Sequence, residues 1–193
     1  FISGMNSALT PWMYSKIKKG DIRSMRKVLQ LLSIVVVGIA VALMLISPEL
    51  VLIFGSPKYR EAVYVIPPVA ASVFFIFIYN ILSMPQFYYE KTQFLMAASM
   101  AAAGANVVLN FIFIRLFGYI AAGYTTLACY MLYSVGHYIV SKRILVNEGI
   151  QENLMNPGFL LACSVFLIGA SIICNLIFPY RILRYAILLA SAG

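Results

Sequence analysis

Residues 28–48, VLQLLSIVVVGIAVALMLISP, decide the fold. They carry no charged side chain, and a bilayer hydrocarbon core of roughly 30 Å is crossed by about 20 apolar helical residues. By length alone the stretch reads as a membrane-spanning helix. Immediately before it stands KIKKGDIRSMRK, residues 16–27, in which six basic side chains face the single acid Asp21. Basic segments flanking a span stay on the cytoplasmic side. Loop 16–27 is therefore expected to be cytoplasmic, with the helix running outward from it.

Four more apolar runs follow, at residues 62–84, 94–117, 120–141 and 157–178. Between them, 49–61 reads as an external connection broken by Gly55 and Pro57, and 85–93 as a short inner one. Gly118 and Tyr119 form a tight outer turn, and Lys142, Arg143, Glu148 and Glu152 fall inside again. Proline removes a backbone donor and crowds the preceding turn, so Pro67 and Pro68 should bend or delay the start of the second run. Residues 1–15 resemble the end of an earlier span, with Trp12 and Tyr14 at the interface and Pro11 as a kink or terminus. Residues 185–193 begin another run. Apolar helix already under way at both ends implies one part of a longer, transporter-sized chain.

Composition excludes most alternatives. Hydrophobic residues make up 63% of the chain and charged ones 10%, whereas soluble domains carry about 25% charged residues to cover their surface. The fold class is all-α, a polytopic transmembrane helical bundle. The net charge of +8 sits largely in the connections, where it sets topology, so nucleic acid is not an expected partner. Cys129, Cys163 and Cys174 all fall inside apolar runs without a CxxC spacing, which makes them small buried residues. No metal site or cofactor is expected, and no catalytic constellation appears.

Polar residues inside the runs are the candidates for function, because lipid satisfies none of their hydrogen bonds. Asn106 and Asn110 lie four apart and share a helical face with Ser99 and Phe113. Their run also holds a cluster of small residues from Ala97 to Ala105, which favours close helix approach. The two amides serve either as interhelical hydrogen bonds or as the polar wall of a cavity. Asn80, followed by Gln86, Tyr88, Tyr89, Glu90 and Lys91, gives a polar-aromatic collar at the inner end of its run. Such residues also anchor helices at the interface. Arg115 ends the Asn106 helix, either snorkelling outward or facing a cavity as an anion contact. His137 reads as a satisfied interfacial histidine. No acid occupies the centre of a complete run, so a relay of buried carboxylates has no candidate.

The sequences NSALTPWMYSKIKKGD at 6–21, SPELVLIFGSPKYREAVYVIP at 47–67 and NVVLNFIFIRLFGYIAAGYTT at 106–126 resemble those of the polysaccharide flippases. These form a branch of the multidrug, oligosaccharidyl-lipid and polysaccharide exporter superfamily. The resemblance covers about residues 4–145, and implies the C-terminal half, one lobe of a MATE-like two-lobed transporter. Residues 146–193 would then add two C-terminal helices, the last incomplete. It implies alternating access for a polyprenyl-diphosphate-linked oligosaccharide, turned from the inner to the outer leaflet of the cytoplasmic membrane. Implied partners are membrane lipid, the N-terminal half of the same polypeptide and polysaccharide assembly enzymes. In that frame Asn80, Asn106 and Asn110 would bond saccharide hydroxyls, Lys91 or Arg115 would attract the diphosphate, and Gln86 would line the same cavity. Two competing readings are a cation-coupled multidrug antiporter of the same superfamily and a non-transporting scaffold. An integral membrane enzyme would need loops armed with acids and histidines for catalysis or metal binding, and these short loops carry no such set.

Overall fold

A computed structural model describes residues 2–55 and 57–178, and no strand occurs among them. The helices are α1 (Ile2–Lys18), α2 (Ile22–Phe54), α3 (Ile66–Tyr88), α4 (Gln93–Phe117), α5 (Ala121–Asn147) and α6 (Pro157–Ile177), with a 3₁₀ segment at Pro57–Tyr64 between α2 and α3. Four of them, α2, α3 with the end of the preceding segment, α4 and α6, are long and apolar enough to cross a membrane. The chain is thus an all-α, membrane-type bundle. The run expected at 185–193, together with Arg181 and Arg184, lies outside the described residues.

Several boundaries differ from the sequence expectation, and proline explains most of them. Pro11, Pro48 and Pro85 all sit inside helices, whereas the reading placed chain breaks at or beside them. Away from water, a backbone that leaves the helix loses partners it cannot replace, so continuing past a proline is the lesser cost. Helix α2 consequently runs on through Glu49 to Phe54 instead of ending at Pro48. At 33 residues and 1.5 Å per residue it is about 50 Å long, well beyond the hydrocarbon core, and Phe54 at its tip is 84% exposed. Its other end absorbs much of the basic loop. Asp21 caps α2 by accepting from the Ser24 amide at 3.3 Å, Gly20 turns the chain at φ +66°, and Arg23, Arg26 and Lys27 lie in the first turns of the helix. Lys16, which donates to Asp21, holds that carboxyl below the usual carboxylate range. The Pro67–Pro68 pair behaves as expected, standing in the first turn of α3, where no intrahelical donor is lost.

The fourth predicted run, 120–141, also needs correction. Helix α5 has the length of a span but not its apolarity, since Thr125, Ser134, His137 and Ser141 are all buried in it. Lipid would not accept these groups. They turn inward because α5 packs along α3, the helix at the centre of the bundle, which also meets α1, α2 and α6. Phe74, Phe77, Ile78, Ile81 and Leu82 of α3 are fully buried. Helix α4 is the opposite case: it packs against α5, and none of its residues is buried.

Contacts between connections fix the alternation of ends. At one end Arg26 donates to the Asn153 carbonyl at 2.7 Å and pairs with Glu152 at 3.2 Å, while Lys91 pairs with Glu148 at 2.9 Å. At the other end Tyr119 donates to Glu61 at 3.0 Å, and Asn175 reaches the Tyr64 carbonyl at 3.2 Å and the Tyr124 hydroxyl at 2.9 Å. Connections expected to share a side do share one. Exposed ion pairs of this kind contribute under about 1 kcal/mol each, so they register the helices more than they hold them.

Close packing does that work where α5 starts. A Cβ on Gly123 would stand 2.7 Å from Pro68 Cγ and 2.9 Å from the Val65 carbonyl oxygen. Gly123→Ala should therefore push α5 off α3 and lower stability by about 1–3 kcal/mol, the usual cost of overpacking. Gly104→Ala on α4, where nothing lies within 4 Å of the added carbon, should change it by less than about 1 kcal/mol. Thermal unfolding of both variants in detergent checks the contrast, which equal melting temperatures would contradict.

Candidate functional site

The polar residues of the apolar helices fall into two groups, both built on α5. The first lies along α3. Tyr79 and Gln86 are seven apart on α3 and so share a face, as do Tyr130, Tyr133 and His137 on α5. Gln86 and His137 are both fully buried. The Gln86 amide Nε2 donates to His137 Nδ1 at 2.7 Å, which makes Nδ1 the acceptor and leaves the ring proton on Nε2. Gln86 Oε1 and His137 Nε2 have no other partner, and neither does the Ser141 hydroxyl one turn along. Three rings enclose the imidazole: Tyr133 at 4.5 Å, Phe94 at 5.4 Å and Tyr79 at 5.9 Å between centroids.

Above this buried pair the tyrosines come partly to the surface. Tyr79 and Tyr130 are parallel to within 7° at 6.2 Å, and Tyr79 meets Tyr133 at 4.7 Å. All three are half-buried, as is the neighbouring Asn80, whose amide donates to the Ile76 carbonyl at 2.7 Å. The result is a polar-aromatic wall on the α3 and α5 faces.

The second group is the seam between α4 and α5. Ser99 and Tyr133 hydroxyls are 2.6 Å apart, Asn110 donates to Asn106 Oδ1 at 2.9 Å, and Thr125 donates to Asn110 Oδ1. Of the two roles open to the asparagines, interhelical hydrogen bonding is the one the geometry displays. The small residues beside them do not close the seam. A groove of about 330 Å³ remains there, lined by Phe94, Ala98, Ala102, Ala105, Tyr133 and Gly136 among others.

The six sequence candidates thus do not meet at one point. Asn80 faces the open wall, Gln86 lies beneath it with His137, and Asn106 and Asn110 fill the seam. Lys91 is matched by Glu148 at the bundle end. Arg115 lies at the opposite end of α4, its guanidinium 3.9 Å from the centre of the Phe111 ring and half a turn from Asn106 in helical phase. Tyr88 of the expected collar packs edge-on against Tyr14 at 5.3 Å and Tyr89 at 4.8 Å. His137 is buried in the bundle and incompletely bonded, not satisfied at an interface. Glu49 lies within α2 but near its C-terminal end, away from the centre of the helix. What the sequence reading missed, Tyr79, Tyr130 and Tyr133, was open to the spacing of Tyr130, Tyr133 and His137. No protein-family model, curated protein or solved structure matches the chain.

Removing one member of the buried pair strands the other, at about 1–3 kcal/mol. Gln86→Leu and His137→Leu should each destabilise the bundle by that amount, and the double variant by clearly less than the sum. Denaturation in detergent measures the cycle, and additivity within about 0.5 kcal/mol would show that the two are not coupled.

Proposed function

We propose that this chain is one helical lobe of a membrane transporter that turns a polyprenyl-diphosphate-linked oligosaccharide across the cytoplasmic membrane by alternating access. The observation that carries the reading is the half-open wall of Tyr79, Asn80, Tyr130 and Tyr133 between otherwise apolar helices. Hydroxyl and amide groups at membrane depth are costly against lipid and favourable against a hydrated head group. A carrier for such a substrate must shelter the head group while its tail stays in the bilayer, which asks for a polar surface with side access. The sequence resemblance to polysaccharide flippases points the same way. Lys16–Lys27 is the cytoplasmic end in this reading, because the positive-inside excess lies there.

In a strain lacking the full-length protein, the lipid-linked oligosaccharide should accumulate on the inner leaflet and polymer export should stop. Restoring the gene should reverse both, and Asn80→Ala should lower export severalfold at unchanged expression. In a variant without Cys129, Cys163 and Cys174, a cysteine at Lys19 or Glu90 should resist an impermeant thiol reagent in intact cells, and one at Gly118 should react. Normal export without the protein would refute the assignment, and the reverse labelling pattern would refute the orientation.

A further inference from the structure

Helices α5 and α6 both pack on α3, and the strip of α3 between them is left as a groove of about 260 Å³. Phe74 and Ile78 of α3 line its floor, Val135 and Tyr138 of α5 one wall, and Pro157 and Leu161 of α6 the other. Ser134 and Ser164 also line it, but their hydroxyls donate to the Met131 and Leu160 carbonyls of their own helices at 2.8 and 2.7 Å. What the groove offers an occupant is therefore a hydrocarbon surface. From Pro157 to Ser164 it runs about 10 Å along α6, within the roughly 15 Å of one leaflet, half the hydrocarbon core.

One end of the groove meets the basic end of the bundle. Pro157 follows on the connection whose Asn153 carbonyl accepts from Arg26 at 2.7 Å, and Arg26 is near enough for its charge to act on the Tyr138 hydroxyl. Lys142 stands one turn beyond Tyr138 on the same face of α5. It is exposed, and among the described residues it makes no ion pair. The acids nearby are engaged, Glu152 by Arg26 and Glu148 by Lys91. Across connections 16–27, 85–93 and 142–156, nine basic side chains stand against four acidic ones.

We propose that this groove seats one acyl chain of an anionic phospholipid, whose phosphodiester lies against Lys142 and Arg26. Open to the bilayer, an apolar slot fills with a lipid chain, and the charge at its mouth selects which lipid. Basic side chains near a membrane surface attract anionic head groups, and Lys142 supplies a positive charge that no carboxylate of the bundle answers. A phosphoglyceride, with one negative charge and chains the length of a leaflet, matches the slot better than a polyprenyl diphosphate, whose tail outruns it. The site belongs to α3, α5 and α6, and it stands whether or not the bundle carries an oligosaccharide.

The test places bimane at position 161 (Leu161→Cys) in an otherwise cysteine-free full-length protein, reconstituted in unlabelled phosphatidylcholine vesicles. The quencher is phosphatidylglycerol or phosphatidylcholine bearing the same nitroxide-labelled chain. Phosphatidylglycerol should reach half-quenching at a concentration about fivefold lower, the factor that one basic side chain near the surface contributes. Lys142→Gln should remove most of that difference at an unchanged melting temperature, and Lys142→Arg should keep it. Equal quenching by the two lipids would overturn the proposal, as would a preference that Lys142→Gln leaves intact. Quenching by neither lipid would mean that protein covers the groove, and displacement of phosphatidylglycerol by an equimolar polyprenyl phosphate would give the groove to a different lipid; each overturns the proposal too.

Discussion

A polar side chain inside a bundle surrounded by lipid has to find its partner within the protein, and this constraint organises the molecule. Helix α5 carries more polar groups than a lipid-facing helix tolerates, so it is held between α3 on one side and α4 on the other. Gln86 and His137 tie it to α3. Ser99, Asn110 and Tyr133, with Thr125, tie it to α4. Apolar packing supplies the shape of the bundle, but in a membrane it does little to choose among helix partners, because lipid chains are as apolar as leucine. The hydrogen bonds make that choice.

The two neighbours of α5 are held in unlike ways. Helix α3 is buried along most of its length and is pinned by the close approach at Gly123. Helix α4 has no buried residue and rests on one seam of small side chains and a few hydrogen bonds. Local stability follows burial and packing, so α4, seated on α5 without a buried residue, is held less firmly than α3. For the carrier proposed above, a helix seated on one seam beside the tyrosine wall is where side entry for a lipid tail is easiest to provide.

The spans were legible because a membrane imposes a length and an absence of charge that survive as plain runs in the sequence. The positive-inside excess at Lys16–Lys27 likewise foretold which connections lie together, and Arg26 with Glu152 and Lys91 with Glu148 bear out that grouping. Helix ends were less legible. Rules for proline drawn from soluble proteins end a helix at or beside it, whereas α2 and α3 run on past Pro48 and Pro85. The Asn106–Asn110 pair was visible as a four-residue spacing, whereas Thr125, its partner on the next helix, was not. Gln86 and His137 are 51 residues apart, and nothing local in the sequence joins them. The tyrosine wall was half-visible, as a heptad-like spacing on α5 without Tyr79 to complete it.

The central claim is that the wall around Asn80 and Tyr130 meets water at membrane depth and not lipid. Spin labels at Asn80 and Tyr130, compared with one at the exposed Leu161 of α6, test this in the reconstituted full-length protein. The account predicts that a water-soluble nickel chelate relaxes the labels at 80 and 130 more strongly than oxygen does, and that oxygen dominates at 161. Oxygen dominating at all three positions would make the wall a lipid-facing surface and contradict the account.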